Sequence, residues 1–181
     1  TVVDGLRDGL RELGLEESRA RAQARIMAGD VRCGDRVLDK PGALIPADTA
    51  LELRARSPYV SRGGEKLAGA LAALAIDPAG LRCADVGAST GGFSDCLLQR
   101  GAREILAIDV GYGQLAARLR ADPRVTLCER TNVRYYALEA GVEPFDLVTA
   151  DLSFISLRRV LEPLADLVRP GGRLLCLVKP Q

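Results

Sequence analysis

LRCADVGASTGGF, residues 81–93, decides how the rest of the chain is read. An apolar run starting at Leu81 leads into Asp85. Gly87 to Gly92 then make a glycine-rich turn, and Phe93 opens a helix. A strand, a tight turn and a helix start, in that order, form a cradle for a nucleotide cofactor. Glycines let the main chain approach a ligand, and free N–H groups at the helix start face it.

Working outward, four further apolar runs follow: EILAIDV, RVTLCE, FDLVTAD and GRLLCLVKP. Each is nearly continuous, as expected of strands buried on both faces. Helical stretches separate them: SDCLLQRG, YGQLAARLR and SLRRVLEPLADLV. This alternation predicts an α/β fold with a parallel, right-handed, doubly wound Rossmann-like sheet. Before it, YVSRGGEKLAGALAAL predicts a helix whose stripe of Leu67, Ala70, Leu71 and Leu74 packs on the sheet. Gly63-Gly64 should loosen the chain ahead of that helix. Lys66 falls in its first turn, where it opposes the helix dipole. From the residues alone it is otherwise an ordinary surface lysine.

The turn is not a Walker loop, because Phe93 stands where Lys should follow Gly92. It also misses strict G-x-G-x-x-G, since Ser89 takes the second glycine position. Asp109 closes the second strand about 20 residues past the turn, where a carboxylate can accept hydrogen bonds from a ribose diol. The alternative is a carboxylate that only ends a strand. The residues themselves stop at an adenosine-containing cofactor.

Composition narrows the chemistry. The 181 residues suffice for one full domain and a small one, and 48% hydrophobic content suits a globular core. The longest uncharged apolar run, Leu67 to Ile76, is about half of the roughly 20 residues a membrane span needs. The five cysteines are odd in number and lack CxxC spacing. They read as reduced residues of a cytoplasmic protein. There is no His, which removes Ser-His-Asp and Cys-His chemistry and disfavours a metal site. Proton transfer is left to Lys, Asp, Glu or Tyr. The net charge is +1, so nucleic-acid binding would need local clustering of cations.

Arg54 to Pro58 is short and polar, and the domain boundary is placed there: residues 1–58, then 59–181. In the first part Leu6, Leu10 and Leu13 recur at helical spacing up to Gly14. Ser18 is positioned to cap a second helix that ends at Gly29, with Ala20, Ala24 and Met27 as its buried stripe. Short strand pieces follow, with turns at Gly34-Asp35 and Pro41-Gly42. Arg21 and Arg25, four apart, should project from one face. With Arg19 they form either a solvated face or a phosphate-contacting stripe, beside Arg32 and Lys40.

GLEESRARAQARIMAGDVRCGDRVLDKPG, residues 14–42, resembles the S-four-type RNA-binding domain. That resemblance implies that Ser18, Arg19, Arg21, Arg25, Arg32 and Lys40 meet structured RNA. The family's usual opening Arg-Leu-Asp is absent. YVSRGGEKL, DVGASTGGF, AIDVGYGQL, DPRV, ERTNVR, DLSFIS and LVKPQ, in that order, are similar to the TlyA family over almost the whole chain. That family comprises ribosomal RNA cytidine 2′-O-methyltransferases, also called haemolysins. Its methyltransferase part is similar to the wider FtsJ-like enzymes.

The implied cofactor is S-adenosylmethionine, and the implied partners are ribosomal RNA or ribosomal subunits, with no membrane and no metal. Asp85, Gly87, Ala88, Ser89, Thr90 and Gly91 are expected on its methionine and ribose side, Asp109 at the ribose and Asn132 near the adenine. Lys66, Asp151 and Lys179 match three members of the Lys-Asp-Lys-Glu catalytic set. Ser153 and Phe154 stand where a target base could stack. Two rivals remain: a non-catalytic RNA-binding protein with a vestigial cofactor fold, and a membrane-acting haemolysin.

Thr1 in place of Met implies a trimmed start. The chain stops just after LVKPQ, before the family's fourth catalytic position. On that reading the fifth strand lacks its outer neighbours. The expectation is weak activity and self-association through an exposed sheet edge.

Overall fold

The computed structural model describes residues 2–178 apart from 4, 28, 47, 55, 56 and 154. The chain divides into two compact units, Thr1–Arg56 and Ser57–Gln181.

The first unit runs β1 (Val2–Val3), α1 (Leu6–Glu12), α2 (Arg19–Met27), β2 (Val31–Cys33), β3 (Arg36–Val37), β4 (Ile45–Pro46) and β5 (Glu52–Leu53). β1 pairs with β4, and β3-β2-β5 form a second small sheet. Ser18 caps α2: the Arg21 N–H donates to its Oγ at 3.2 Å. The core is Leu6, Leu10, Ala22, Ile26, Val31 and Ile45.

The buried face of α2 therefore differs from the expected one. Ala22 and Ile26 are buried, whereas Ala20 and Ala24 are exposed and Met27 is 68% exposed. Alanine lies all round this helix, so its orientation is set by burying Ile26, whose larger side chain gains more from leaving water. Leu13 is also outside, because α1 ends at Glu12 and the chain turns there.

The second unit runs α3 (Arg62–Ala73), β6 (Arg82–Val86), α4 (Gly92–Gln99), β7 (Glu104–Ile108), α5 (Ala117–Arg120), β8 (Val125–Cys128), β9 (Phe145–Ala150), α6 (Leu161–Asp166) and β10 (Val168–Cys176). Its five strands are all parallel, in the order β10-β9-β6-β7-β8. Successive strand residues alternate between two cores. Cys83, Ile105, Ala107 and Leu147 face α3 and α4. Ala84, Leu106, Ile108 and Val148 face α6. Both sheet faces are covered, which explains why the strands read as nearly continuous apolar runs.

Two helices are shorter than their sequence stretches. Gly111 and Gly113 keep the segment before α5 irregular, and Gly113 has φ +70°. The last stretch becomes a 3-10 turn, Leu157–Arg159, then α6. Leu167 follows α6 and Val168 already belongs to β10. Pro170-Gly171-Gly172 then shifts the register of β10 against β9 between Val168 and Arg173.

Gly63-Gly64 does not loosen the chain. Both residues lie inside α3, and a Cβ on Gly64 would stand 2.3 Å from Tyr59 Cγ. The pair instead lets the Tyr59 ring lie against the helix. Because α3 starts at Arg62, Lys66 falls beyond its first turn, and the predicted conflict with the dipole is correspondingly weak.

Candidate active site

The strands of the second unit are in register at their carboxyl ends. Val86 pairs with both Ile108 and Ala150. Asp85, Asp109 and Asp151 are therefore brought to one edge, where open α/β sheets bind ligands.

The three carboxylates have different surroundings. Asp85 is fully buried, and its Oδ2 accepts the Ser94 N–H at 2.8 Å and the Ser94 hydroxyl at 2.6 Å. Oδ1 has no hydrogen-bond partner among the described residues. Burial pushes this carboxyl up to about 6; the Ser94 bonds oppose the rise, while Asp151 and Asp109 add to it. Asp109 is half-buried and braces two turns: it accepts the Ser89 N–H at 2.7 Å and the Gly111 N–H at 2.6 Å. Asp151 leaves β9 with its own N–H donated to the Val86 carbonyl at 3.1 Å.

The glycine turn has a different logic from the one predicted. Gly87 has φ +84°, and a Cβ there would lie 2.6 Å from the Asp151 carbonyl oxygen. Gly91 has φ +94°, and its Cβ would meet Leu119 at 2.3 Å and Leu115 at 2.7 Å. Both glycines are required by neighbouring parts of the chain itself. The N–H groups of Gly87 and Ala88 point to the Ile108 carbonyl, that of Ser89 to Asp109 and that of Gly91 to the Ala88 carbonyl. The turn is held by internal bonds, and these four donors do not face a ligand.

Two cavities open along this edge. The larger, about 510 Å³, is lined by Ser89, Asp109, Val110, Asn132, Ile155 and Val160 among others. The smaller, about 260 Å³, is lined by Arg62, Lys66, Ala88, Thr90 and Phe93 among others. Gly87, Ser89 and Asp151 belong to both walls, so the cavities abut there. The larger has a size usual for small-molecule sites. Its apolar side walls and a carboxylate at the end of β7 suit a nucleoside with a free diol.

Gly87, Ser89, Asp109, Asn132 and Asp151 thus line the larger cavity, and Lys66, Ala88 and Thr90 the smaller. Asp85 and Gly91, expected beside the cofactor, are buried behind the turn and line neither cavity. Asn132 also caps the 3-10 turn Val133–Tyr135 by accepting the Arg134 N–H at 3.1 Å. Lys179 and Phe154 lie outside the described residues. Ser153 lines the larger cavity.

The sequence reading missed Gln114, which accepts the Ser89 hydroxyl at 3.2 Å and closes one side of the larger cavity. Its signal was its place in GYGQ, residues 111–114, separated from Asp109 by one residue. Val110, Thr131, Ile155 and Val160 were missed too, because nothing in their type marks them as lining residues.

In the first unit the cations are differently engaged. Arg25 has a side chain only 11% exposed; it pairs with Asp30 at 2.9 Å and Glu16 at 3.4 Å and bonds the Arg54 carbonyl. It does not share an open face with Arg21, which pairs with Glu17. Arg19 pairs with Asp8 at 2.8 Å. Arg32 and Lys40 are exposed and have no ion-pair partner among the described residues. No helix among the described residues is long and apolar enough to cross a membrane. No cluster of three or more His, Cys, Asp or Glu able to hold a metal ion occurs among them either.

Comparison with known proteins gives one family model and a consistent set of relatives. Residues 59–181 match the model of the FtsJ-like methyltransferases. The chain is 51% identical over 170 residues to the 16S/23S rRNA (cytidine-2′-O)-methyltransferase TlyA of Mycobacterium tuberculosis. The match covers 93% of this chain and 63% of that protein, so the chain spans less than two thirds of its relative's length. A solved haemolysin-named protein from Streptococcus thermophilus superposes with a TM-score of 0.70 at 40% identity, over 97% of this chain and 65% of that one. A solved S-adenosylmethionine-dependent methyltransferase from Mesorhizobium loti gives 0.50 at 25% identity, over 60% and 50% respectively. With the family model matched over most of the chain and the strand order and site geometry described above, this chain belongs to the FtsJ-like methyltransferase family.

Proposed function

We propose that the protein methylates the ribose 2′-hydroxyl of cytidine in ribosomal RNA, with S-adenosylmethionine as donor. One observation carries the reading: Lys66 and Asp151 share a cavity that abuts, at Gly87 and Ser89, a second cavity suited to a nucleoside. When bound, the donor supplies an electrophilic methyl on a sulfonium centre.

The residues of this chain supply position and charge. Asp109 accepts hydrogen bonds from the donor's ribose diol, and Val110, Ile155 and Val160 give its adenine an apolar slot with Asn132 at the edge. Gln114 and Ser89 close the wall between them. On the acceptor side a ribose hydroxyl is a weak nucleophile and must lose its proton as it attacks. Lys66 stabilises the developing negative charge on that oxygen. Asp151, at the seam of the two cavities, orients the lysine and tolerates the cationic donor. Lys179 is assigned by sequence alone as the base or second alkoxide stabiliser. A lysine serves as base once burial or a neighbouring cation lowers its pKa. The remaining work is alignment of oxygen, methyl and sulfur.

The first unit is assigned to RNA binding as an S-four-type domain, with Arg32 and Lys40 as its open cations and Ser18 as a helix cap. Arg19, Arg21 and Arg25 act there through the ion pairs that hold α2. The substrate is ribosomal RNA or a ribosomal subunit, and the setting is the cytoplasm. The test is transfer of labelled methyl from S-adenosylmethionine to 16S and 23S rRNA and to intact subunits, followed by mass mapping of ribose methylation. 2′-O-methylcytidine that depends on the protein, in one of these RNAs or both, is the expected product. Absence of transfer to any of these, or methyl groups on bases only, refutes the reading.

A further inference from the structure

The smaller cavity holds a second cation besides Lys66. Arg62 lines it four residues earlier on α3, so the two side chains leave one helix face. Arg62 is exposed and has no ion-pair partner among the described residues. Some other arginines of the same unit are neutralised, among them Arg118 by Asp95, Arg120 by Glu129 and Arg124 by Asp122.

The starts of two helices also open on this cavity: Ser61, which precedes α3, with Arg62 and Gly63 of that helix, and Gly92 and Phe93 of α4. Ser61 makes no side-chain bond to the N–H groups of α3. The start of α4 is already met by Asp85, which accepts the Ser94 N–H, so two cations and the uncapped start of α3 face one lining carboxylate, Asp151. That excess suits an acceptor bearing negative charge close to its reacting oxygen.

We propose that Arg62 holds the phosphodiester on the 3′ side of the target ribose while Lys66 faces the 2′ oxygen. The inference rests on the ribose-methylation reading. On a nucleotide the 2′ oxygen and the 3′ phosphodiester sit on adjacent ring carbons. A pair of cations one helical turn apart can meet both. Their chemistry divides accordingly: a guanidinium fork matches two phosphate oxygens, and an ammonium concentrates its charge on one atom. Arg62 thus binds the acceptor strand equally before and during transfer, and alignment of oxygen and methyl is left to Lys66 and Asp151.

The experiment is steady-state methyl transfer by purified wild-type, Arg62→Ala and Arg62→Lys proteins on an rRNA substrate, at several salt concentrations. S-adenosylmethionine affinity is measured separately by calorimetry, and folding by thermal melting. Arg62→Ala is expected to raise KM for RNA roughly tenfold and to shallow its salt dependence by about one phosphate contact. It should leave cofactor affinity and kcat at saturating RNA near wild type, and Arg62→Lys should recover part of the loss. Should Arg62→Ala melt early, Arg62→Gln, which keeps the length of the side chain, is read in the same assay.

Unchanged KM and salt slope overturn the proposal. So does a loss confined to cofactor affinity, which would assign Arg62 to the methionine carboxylate instead. A wild-type protein that transfers no methyl to ribose overturns the underlying function as well, and is recognised because the unmutated protein is itself silent.

Discussion

Replacing Asp85 by Asn should change how stability depends on pH. Asp85 is fully buried, one oxygen is held by Ser94, and the other has no partner among the described residues. Burial is the main reason its carboxyl rises from 3.8 to about 6; Asp151 and Asp109 raise it further. Between these two values the folded protein holds a proton that the unfolded chain has lost. Its contribution is complete below pH 3.8 and is lost as pH climbs through about 6. At about 1.4 kcal/mol per pH decade the whole effect is about 3 kcal/mol.

Asn accepts the Ser94 N–H in the same place and carries no charge. Relative to wild type, Asp85→Asn should therefore gain about 3 kcal/mol between about pH 4 and pH 7. Any constant offset from placing an amide beside the unpartnered position leaves that slope intact. Urea unfolding of both proteins by circular dichroism, at pH intervals across this range, reads the difference directly. Its use cancels the carboxylates common to both. A difference that stays flat with pH refutes the account, because Asp85 would then titrate alike in the folded and unfolded chain.

Lys66→Ala should lower methyl transfer to RNA about 100-fold while leaving cofactor binding intact; radiolabel transfer and calorimetry separate the two, and full activity at saturating cofactor removes Lys66 from the mechanism. Gly87→Ala combines a positive φ with a Cβ 2.6 Å from the Asp151 carbonyl. It should cost about 2–4 kcal/mol in chemical denaturation and weaken S-adenosylmethionine binding as well. In the first unit, Ile26→Ala should destabilise by about 2–5 kcal/mol and Met27→Ala by less than about 0.5 kcal/mol. Equal losses in thermal melts would contradict the observed face of α2.

The sheet was legible because its signal is local. A strand buried on both faces has to be largely apolar at consecutive positions, and Ile105 to Ile108 shows this directly. Asp109 was legible for the same reason, as the first polar residue after such a run, and Asp151 as the charge that ends the run Leu147 to Ala150 of β9, which only Thr149 interrupts. The roles of individual residues around the turn were not. Gly87 is glycine because Asp151, more than sixty residues later, brings a carbonyl against it. Gly64 is glycine because Tyr59 folds back over α3. Neither obstacle has a trace in the local sequence.

Asp85 reads as an ordinary acid at a strand end until the packing of α4 shows it sealed beneath Ser94. The face of α2 failed for a related reason. Alanines at 20, 22 and 24 give three overlapping stripes, and only the contact of Ile26 with α1 and β2 chooses among them.

The contact between Gly87 and the Asp151 carbonyl is made by main chain, and so is the link from the Asp151 N–H to Val86. The corner where donor and acceptor would meet is thereby fixed independently of the side chains around it. Walls such as Val110, Ile155 and Val160 can drift in shape without moving that corner. New acceptors could then be recruited by remodelling the rim alone, whereas any residue larger than glycine at position 87 would disturb every substrate at once.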